Sequence, residues 1–282
     1  MISGALLLSK KQDITSFYKK RFGRILIPTI IWSIIYIFYD SFIDNGCIEF
    51  YDIITKILLI PFQTQTGLLW FMYVLIGIYL VAPILSYWLS ECNKKDVEIV
   101  LGLWGGTLLL PYLTILNQGC NDIRTTAGPL YHFYGFLGYA LLGYYLKKYN
   151  TWKNTSWQFI TMLLVSLAFP VIVFFTGILP LSVLDGSNNL AKVMLSASAF
   201  IFFRNLSYKP SQLLDVACLF AKYSYGIYLS HILFLKPIRI YLTQYHINYL
   251  IQMPLTALFV GLVSFVFVYL ISKLPKSKYI IG

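Results

Sequence analysis

Eight long apolar runs divide this 282-residue chain, and they limit its fold more than any other feature. They lie near residues 25–42, 68–89, 97–116, 129–146, 157–179, 188–203, 215–235 and 247–271. A helix crosses the roughly 30 Å hydrocarbon core with about 20 mostly apolar residues. Inside lipid only a helix or a closed barrel satisfies its own backbone, and these runs are continuous where barrel strands would alternate. The predicted fold is all-α: a polytopic transmembrane helical bundle of about eight full spans plus a partial N-terminal one, read as a single domain over 1–282. Two runs are irregular. Run 188–203 is short, and run 215–235 carries Lys222, whose aliphatic stem lets the ammonium snorkel toward water.

Composition agrees. Hydrophobic residues make up 58% and charged residues 12%, against about 45–50% and 25% in soluble domains. That excludes a disordered chain, and four cysteines are too sparse for a disulfide scaffold. The formal charge of +11 would raise nucleic acid as a partner on a soluble protein. Here its placement supplies another reason. Of the 22 Lys and Arg, 17 fall in one set of alternate connections and five, Lys56, Arg124, Lys192, Lys236 and Arg239, in the other. This is the pattern of cytoplasmic loops that hold basic residues back from translocation. The expectation is a multi-pass protein of the plasma (inner) membrane with a cytoplasmic C-terminus, partnered by the lipid bilayer and not by nucleic acid. Tyr, Phe and Trp reach 18%, and Tyr36, Tyr39, Tyr144, Tyr145, Trp152 and Trp157 sit at run ends, as interfacial belts require. Residues 40–67, the longest polar stretch on the outer side, read as a loop.

Residues 1–8 are apolar and lead into Lys10 and Lys11. Eight residues cover about 12 Å as a helix, under half of the core. No basic leader precedes them, so a signal peptide fits poorly. An interfacial anchor is one reading; the favoured one is the tail of a span whose first half lies upstream.

Ionisable groups within spans are costly and mark candidate sites. His231 is the foremost, in Tyr223-Ser-Tyr-Gly-Ile-Tyr-Leu-Ser-His231. Ser224, Tyr228 and His231 fall at i, i+4 and i+7, one face of a helix, and imidazole acts as base, acid or donor near neutral pH. His132 is a second candidate, at the outer start of its run, and His246 reads as an incidental loop residue. In Lys19-Lys-Arg21-Phe-Gly-Arg24, two arginines three apart share a face. Guanidinium forks suit phosphate, so a polyphosphate donor arriving from the cytoplasm would find a site there. Gly102 with Gly106, and Gly135, Gly138 and Gly143, read as small residues that let helices approach closely. Cys47 and Cys120 fall in outer connections and could pair. No phosphate loop, His-Glu-x-x-His or Cys-x-x-Cys occurs, so neither a metal site nor nucleotide hydrolysis is expected.

Four segments together resemble one family. They are Ile2-Ser-Gly-Ala-Leu-Leu-Leu8 with Arg21-x-x-Arg24-Ile-Leu-Ile-Pro28; Leu69-Trp-Phe-Met-Tyr73 with Tyr79-Leu-Val-Ala-Pro83; Leu137-Gly-Tyr-Ala-Leu-Leu-Gly143; and Tyr225-Gly-Ile-Tyr228-Leu-Ser-His231. In order and spacing these resemble the acyltransferase-3 family, nearest to its inner-membrane O-acetyltransferases of surface polysaccharides or lipid-linked precursors. The resemblance implies ten helices, acyl-CoA (acetyl-CoA in the first place) as co-substrate, and a glycan or lipid-linked sugar as acceptor. It assigns Arg21 and Arg24 to the donor and implies a helix before Met1 with an arginine and an essential histidine. Where the family often has a histidine ahead of Leu-Trp-Phe, this chain has Leu68. His231 and Tyr228 are the expected catalytic groups of an O-acyltransferase. The competing readings are a transporter or flippase of polysaccharide units, lining its path with the same helices, and an inactive remnant of the family.

Overall fold

The structure, a computed structural model, describes residues 1–45, 50–62, 64, 69–110, 112, 135–149, 156–176, 189–205, 211–244 and 248–282. Among them the regular structure is helical: α1 (Ile2–Leu7), α2 (Ile14–Asn45), α3 (Phe50–Leu59), α4 (Trp70–Glu91), α5 (Lys94–Thr107), α6 (Leu137–Lys148), α7 (Ser156–Thr176), α8 (Leu190–Asn205), α9 (Gln212–Thr243), α10 (Tyr249–Ser272) and α11 (Lys278–Ile281). Three of these, over Ile14–Phe42, Trp70–Glu91 and Ile251–Ser272, are long and apolar enough to cross a membrane. Along α10, Leu255, Leu258, Phe259, Leu262, Val266 and Leu270 are all at least half exposed. An aqueous surface would not carry such a stripe; a lipid-facing one does.

The helices form where the chain can satisfy itself. Pro28, Pro83, Pro170, Pro237 and Pro254 all lie inside helices, a placement tolerated in membrane helices whose neighbours re-satisfy the freed carbonyls. Buried hydroxyls turn back onto their own helix: Thr29 donates to the Ile25 carbonyl and Ser41 to that of Ile37, each at 2.8 Å. At the start of α5 the Asn93 amide donates to the Asp96 carboxylate at 2.8 Å, and Ser211 accepts the Leu214 amide at the start of α9.

The chain divides into two compact units. The first comprises Met1–Ile14 and Leu80–Ser207. Its core gathers Trp104, Leu108 and Val193, with Leu146, Ala197 and Ile201 beside Met1 and Leu142. Here α1 lies against α6 so closely that a Cβ on Gly4 would run into the Ala140 backbone, and one on Gly143 into Met1. Gly138 likewise accommodates the Trp104 ring. Gly138 and Gly143 meet the expectation of close approach. Gly102, Gly106 and Gly135 do not, since among the described residues nothing comes within 4 Å of where their Cβ would stand.

The second unit comprises Thr15–Tyr79 and Tyr208–Gly282. Within it the stretch 40–67 is more than a loop. It holds the end of α2 and the whole of α3, whose Ile53 and Ile57, with Ile60 just beyond, lie against Ile34 and Ile37. Their i, i+4, i+7 spacing is an amphipathic helix signal that the surrounding polar residues obscure. The helix through run 215–235 also continues to Thr243, so Lys236 and Arg239 are helical residues rather than loop residues. Lys222 is exposed, its ammonium 5.3 Å from the Tyr223 ring centroid.

Candidate active site

The basic segment becomes the start of α2, where burial of Ile25 and Thr29 anchors the helix. Arg21 and Arg24, one turn apart, emerge on its accessible side, the first half-buried and the second exposed. From α4, buried Tyr79 comes within electrostatic reach of both guanidiniums and sets its ring edge-on to Phe17 at 5.9 Å. From α9, the Tyr225 hydroxyl donates to the Ile25 carbonyl at 3.4 Å, which brings this phenol within electrostatic reach of the Arg24 guanidinium.

One turn further along α9, Tyr228 sits edge-on to Phe71 at 5.8 Å and beside the His231 ring at 5.6 Å. His231 Nδ1 bonds the Tyr228 carbonyl. A carbonyl only accepts, so the neutral ring carries its proton on Nδ1 and its lone pair on Nε2. His231 is half-buried between Ser230 and Ile232, both fully buried. Beyond it, the Lys236 ammonium meets the Asp40 carboxylate at 2.6 Å and lies 5.8 Å from the Tyr39 ring centroid. By helical rise His231 stands about 9 Å from the level of Tyr225 and about 7.5 Å from that of Lys236, between two charged ends.

The structure therefore brings all four sequence candidates, Arg21, Arg24, Tyr228 and His231, into one unit and links them through Tyr79 and Tyr225. Those two tyrosines were not singled out as site residues. The available signal was the one-turn spacing of Tyr225 from Tyr228. Ser224, expected on the same face, is exposed and donates to the Ala221 carbonyl at 2.8 Å. His132, His246, Cys47 and Cys120 lie outside the described residues.

A family model described as an acyltransferase domain matches residues 1–273, through both units. The chain belongs to the acyltransferase-3 family. No curated protein and no solved structure matches it. For an acyltransferase with membrane-crossing helices, the arrangement has distinct chemical parts. Paired guanidiniums at an accessible helix end suit a phosphorylated donor. An imidazole with its lone pair on Nε2, half-buried beside a phenol, suits proton transfer during attack by a weak nucleophile.

Proposed function

We propose that this acyltransferase works in the plasma membrane and transfers an acyl group, most simply acetyl, from acyl-CoA to a sugar hydroxyl of a surface polysaccharide or lipid-linked glycan. The observation that carries this reading is the placement of Tyr225, which bonds the Ile25 carbonyl beside Arg24, one turn from Tyr228, whose ring lies against the half-buried His231 imidazole. Arg21 and Arg24 hold the phosphates of the donor from the cytoplasmic side. His231 Nε2 takes the hydroxyl proton as the sugar oxygen bonds to the thioester carbon. Tyr228 donates to the oxygen that gathers charge in the tetrahedral intermediate. The carbon–sulfur bond then breaks, and the departing thiolate takes the proton back from the imidazolium, leaving an ester, free coenzyme A and neutral histidine.

Eight crossings with a cytoplasmic C-terminus complete the proposal. The directions of α2, α4 and α9 support it. Contacts pair residues 29, 36, 39 and 40 of α2 with 225, 229, 233 and 236 of α9, so these helices run parallel. On α4 the order is opposite: Phe71 packs on Tyr228, whereas Tyr79, two turns later, lies within electrostatic reach of Tyr225. These are the directions that the first, second and seventh crossings take.

The test is transfer of label from acetyl-CoA to glycan acceptors. It uses membranes holding this chain. Ester-linked label that disappears with His231→Ala supports the reading. Glycan movement across the membrane that needs no acyl-CoA and leaves no ester would favour transport instead.

A further inference from the structure

Within the first unit, the C-terminal ends of α1, α4 and α6 surround a cleft of about 270 Å³. Its lining includes four ammonium groups, on Lys10, Lys11, Lys147 and Lys148. The facing carboxylate is Glu91, paired with Lys11 at 2.7 Å. The floor is apolar, made by Leu8 and Leu89, both almost wholly buried. None of these residues belongs to the Arg21–His231 series.

Part of this charge has an ordinary structural use. The Lys147 Nζ donates to the Ala5 carbonyl at 2.8 Å, serving the C-terminal carbonyls of α1. The Lys148 Nζ donates to the Tyr144 hydroxyl at 2.8 Å and lies 5.3 Å from the ring centroids of Tyr144 and Tyr149. That use does not exhaust the cleft. Each ammonium has three N–H groups, and capping three helix ends does not require a concave space with an apolar floor. Four lysines in a lining that holds no carboxylate leave, beyond the Lys11–Glu91 pair, a positive charge that an anion would neutralise. The hydrogen bond that Lys11 donates to Glu91 raises the Lys11 pKa, and the one that Lys148 donates to the Tyr144 hydroxyl raises that of Lys148, so both stay charged well above neutral pH.

We infer that this cleft binds a phosphate group, supplied by an anionic phospholipid headgroup or by coenzyme A, and that Glu91 competes with that phosphate for Lys11. The apolar base beneath the lysines keeps water from the inner side of a bound phosphate, as suits a headgroup held at the rim with its glycerol toward the bilayer. Basic pockets between helices at the cytoplasmic face of membrane proteins hold anionic headgroups in this way.

The experiment uses the full chain in nanodiscs. One arm measures retention of phosphatidylglycerol against phosphatidylcholine by native mass spectrometry. The other measures binding of coenzyme A, lacking an acyl group, in phosphatidylcholine discs. Lys10→Gln with Lys11→Gln is expected to weaken the responding probe roughly tenfold, as loss of charge-assisted contacts does, whereas Lys10→Arg with Lys11→Arg retains it. Glu91→Gln is expected to tighten it severalfold by releasing Lys11, a gain that misfolding cannot produce. A phosphatidylglycerol response identifies the lipid as the source, and a coenzyme A response the donor. Absence of both, or a responding probe indifferent to the lysine and Glu91 variants, overturns the inference. Neither arm needs acyl transfer, so this site and the proposed reaction fail separately.

Discussion

Asp40 and Lys236 meet at 2.6 Å, although 196 positions separate them, and each lies within a helix that continues past it. The pair ends a ladder in which the Tyr36 hydroxyl donates to the Leu229 carbonyl at 2.5 Å and that of Tyr39 to the Leu233 carbonyl at 2.9 Å. Phenols that serve a neighbouring helix's carbonyls satisfy both groups where water is scarce. The ladder therefore sets the register of α2 against α9, and with it the height of His231 relative to Arg24.

Both members of the Asp40–Lys236 pair are less than a third exposed, so the contact is only partly screened. Asp40→Asn or Lys236→Met should lower the unfolding temperature in detergent. The double variant should reveal a coupling of about 1 kcal/mol. Additive losses in that cycle would mean that the pair does not hold the helices together.

His231→Ala should reduce the transfer rate by about 10²–10⁴-fold at saturating donor, the usual contribution of a positioned acid–base group. Tyr228→Phe should cost about tenfold or more with little change in donor KM, because its hydroxyl acts on charge that forms only in the transition state. Rates equal to the parent protein in both variants would remove these residues from the mechanism.

Arg21→Ala and Arg24→Ala should each raise the KM for acetyl-CoA roughly tenfold, more than they lower kcat. Acetyl-pantetheine, which has the thioester without the phosphates, is the control. Its transfer should be nearly indifferent to both substitutions. Equal loss with both donors would show that the arginines support the fold and not the phosphates.

Gly4→Leu should release α1 from α6, because any side chain there meets the Ala140 backbone and not a movable group. Overpacking of this kind costs about 1–3 kcal/mol. Proteolysis near Lys10 and Lys11 should accelerate relative to the parent, whereas Gly102→Leu, at an open position, should leave the pattern unchanged.

Cysteines placed at Lys278 and Gln244, in a background without Cys47, Cys92, Cys120 and Cys218, report topology. An impermeant maleimide added to intact cells should label Gln244→Cys and spare Lys278→Cys. The reverse pattern would invert the proposed orientation.

Much of the helical architecture was legible in the sequence, because apolar run length and alternating loop charge act locally and need no knowledge of partners. The helix ends were less legible. Lys236 and Arg239 looked like loop residues, yet α9 carries them because long basic side chains reach toward a polar partner without ending a helix. Residues 50–59 looked like loop for a related reason: Asp52, Lys56 and the neighbouring polar residues mask a stripe of isoleucines. At the candidate site, the sequence pointed to Arg21, Arg24, Tyr228 and His231 as two separate clusters. It held no sign that Tyr79 would join them, and for Tyr225 only its one-turn spacing from Tyr228, since their contacts depend on which helices become neighbours.

The amino-acid sequence alone determined that this chain forms apolar helices, which ends of them carry positive charge, and which family it belongs to. Those properties follow from the transfer of side chains and peptide groups into lipid, and each residue contributes to them where it stands. Only the tertiary structure decided that α2 and α9 lie side by side and parallel, so that Tyr225 reaches Ile25 across 200 positions of chain. In lipid the hydrophobic effect does not choose among apolar neighbours. Ring packing, phenol-to-carbonyl bonds and the Asp40–Lys236 contact make that choice.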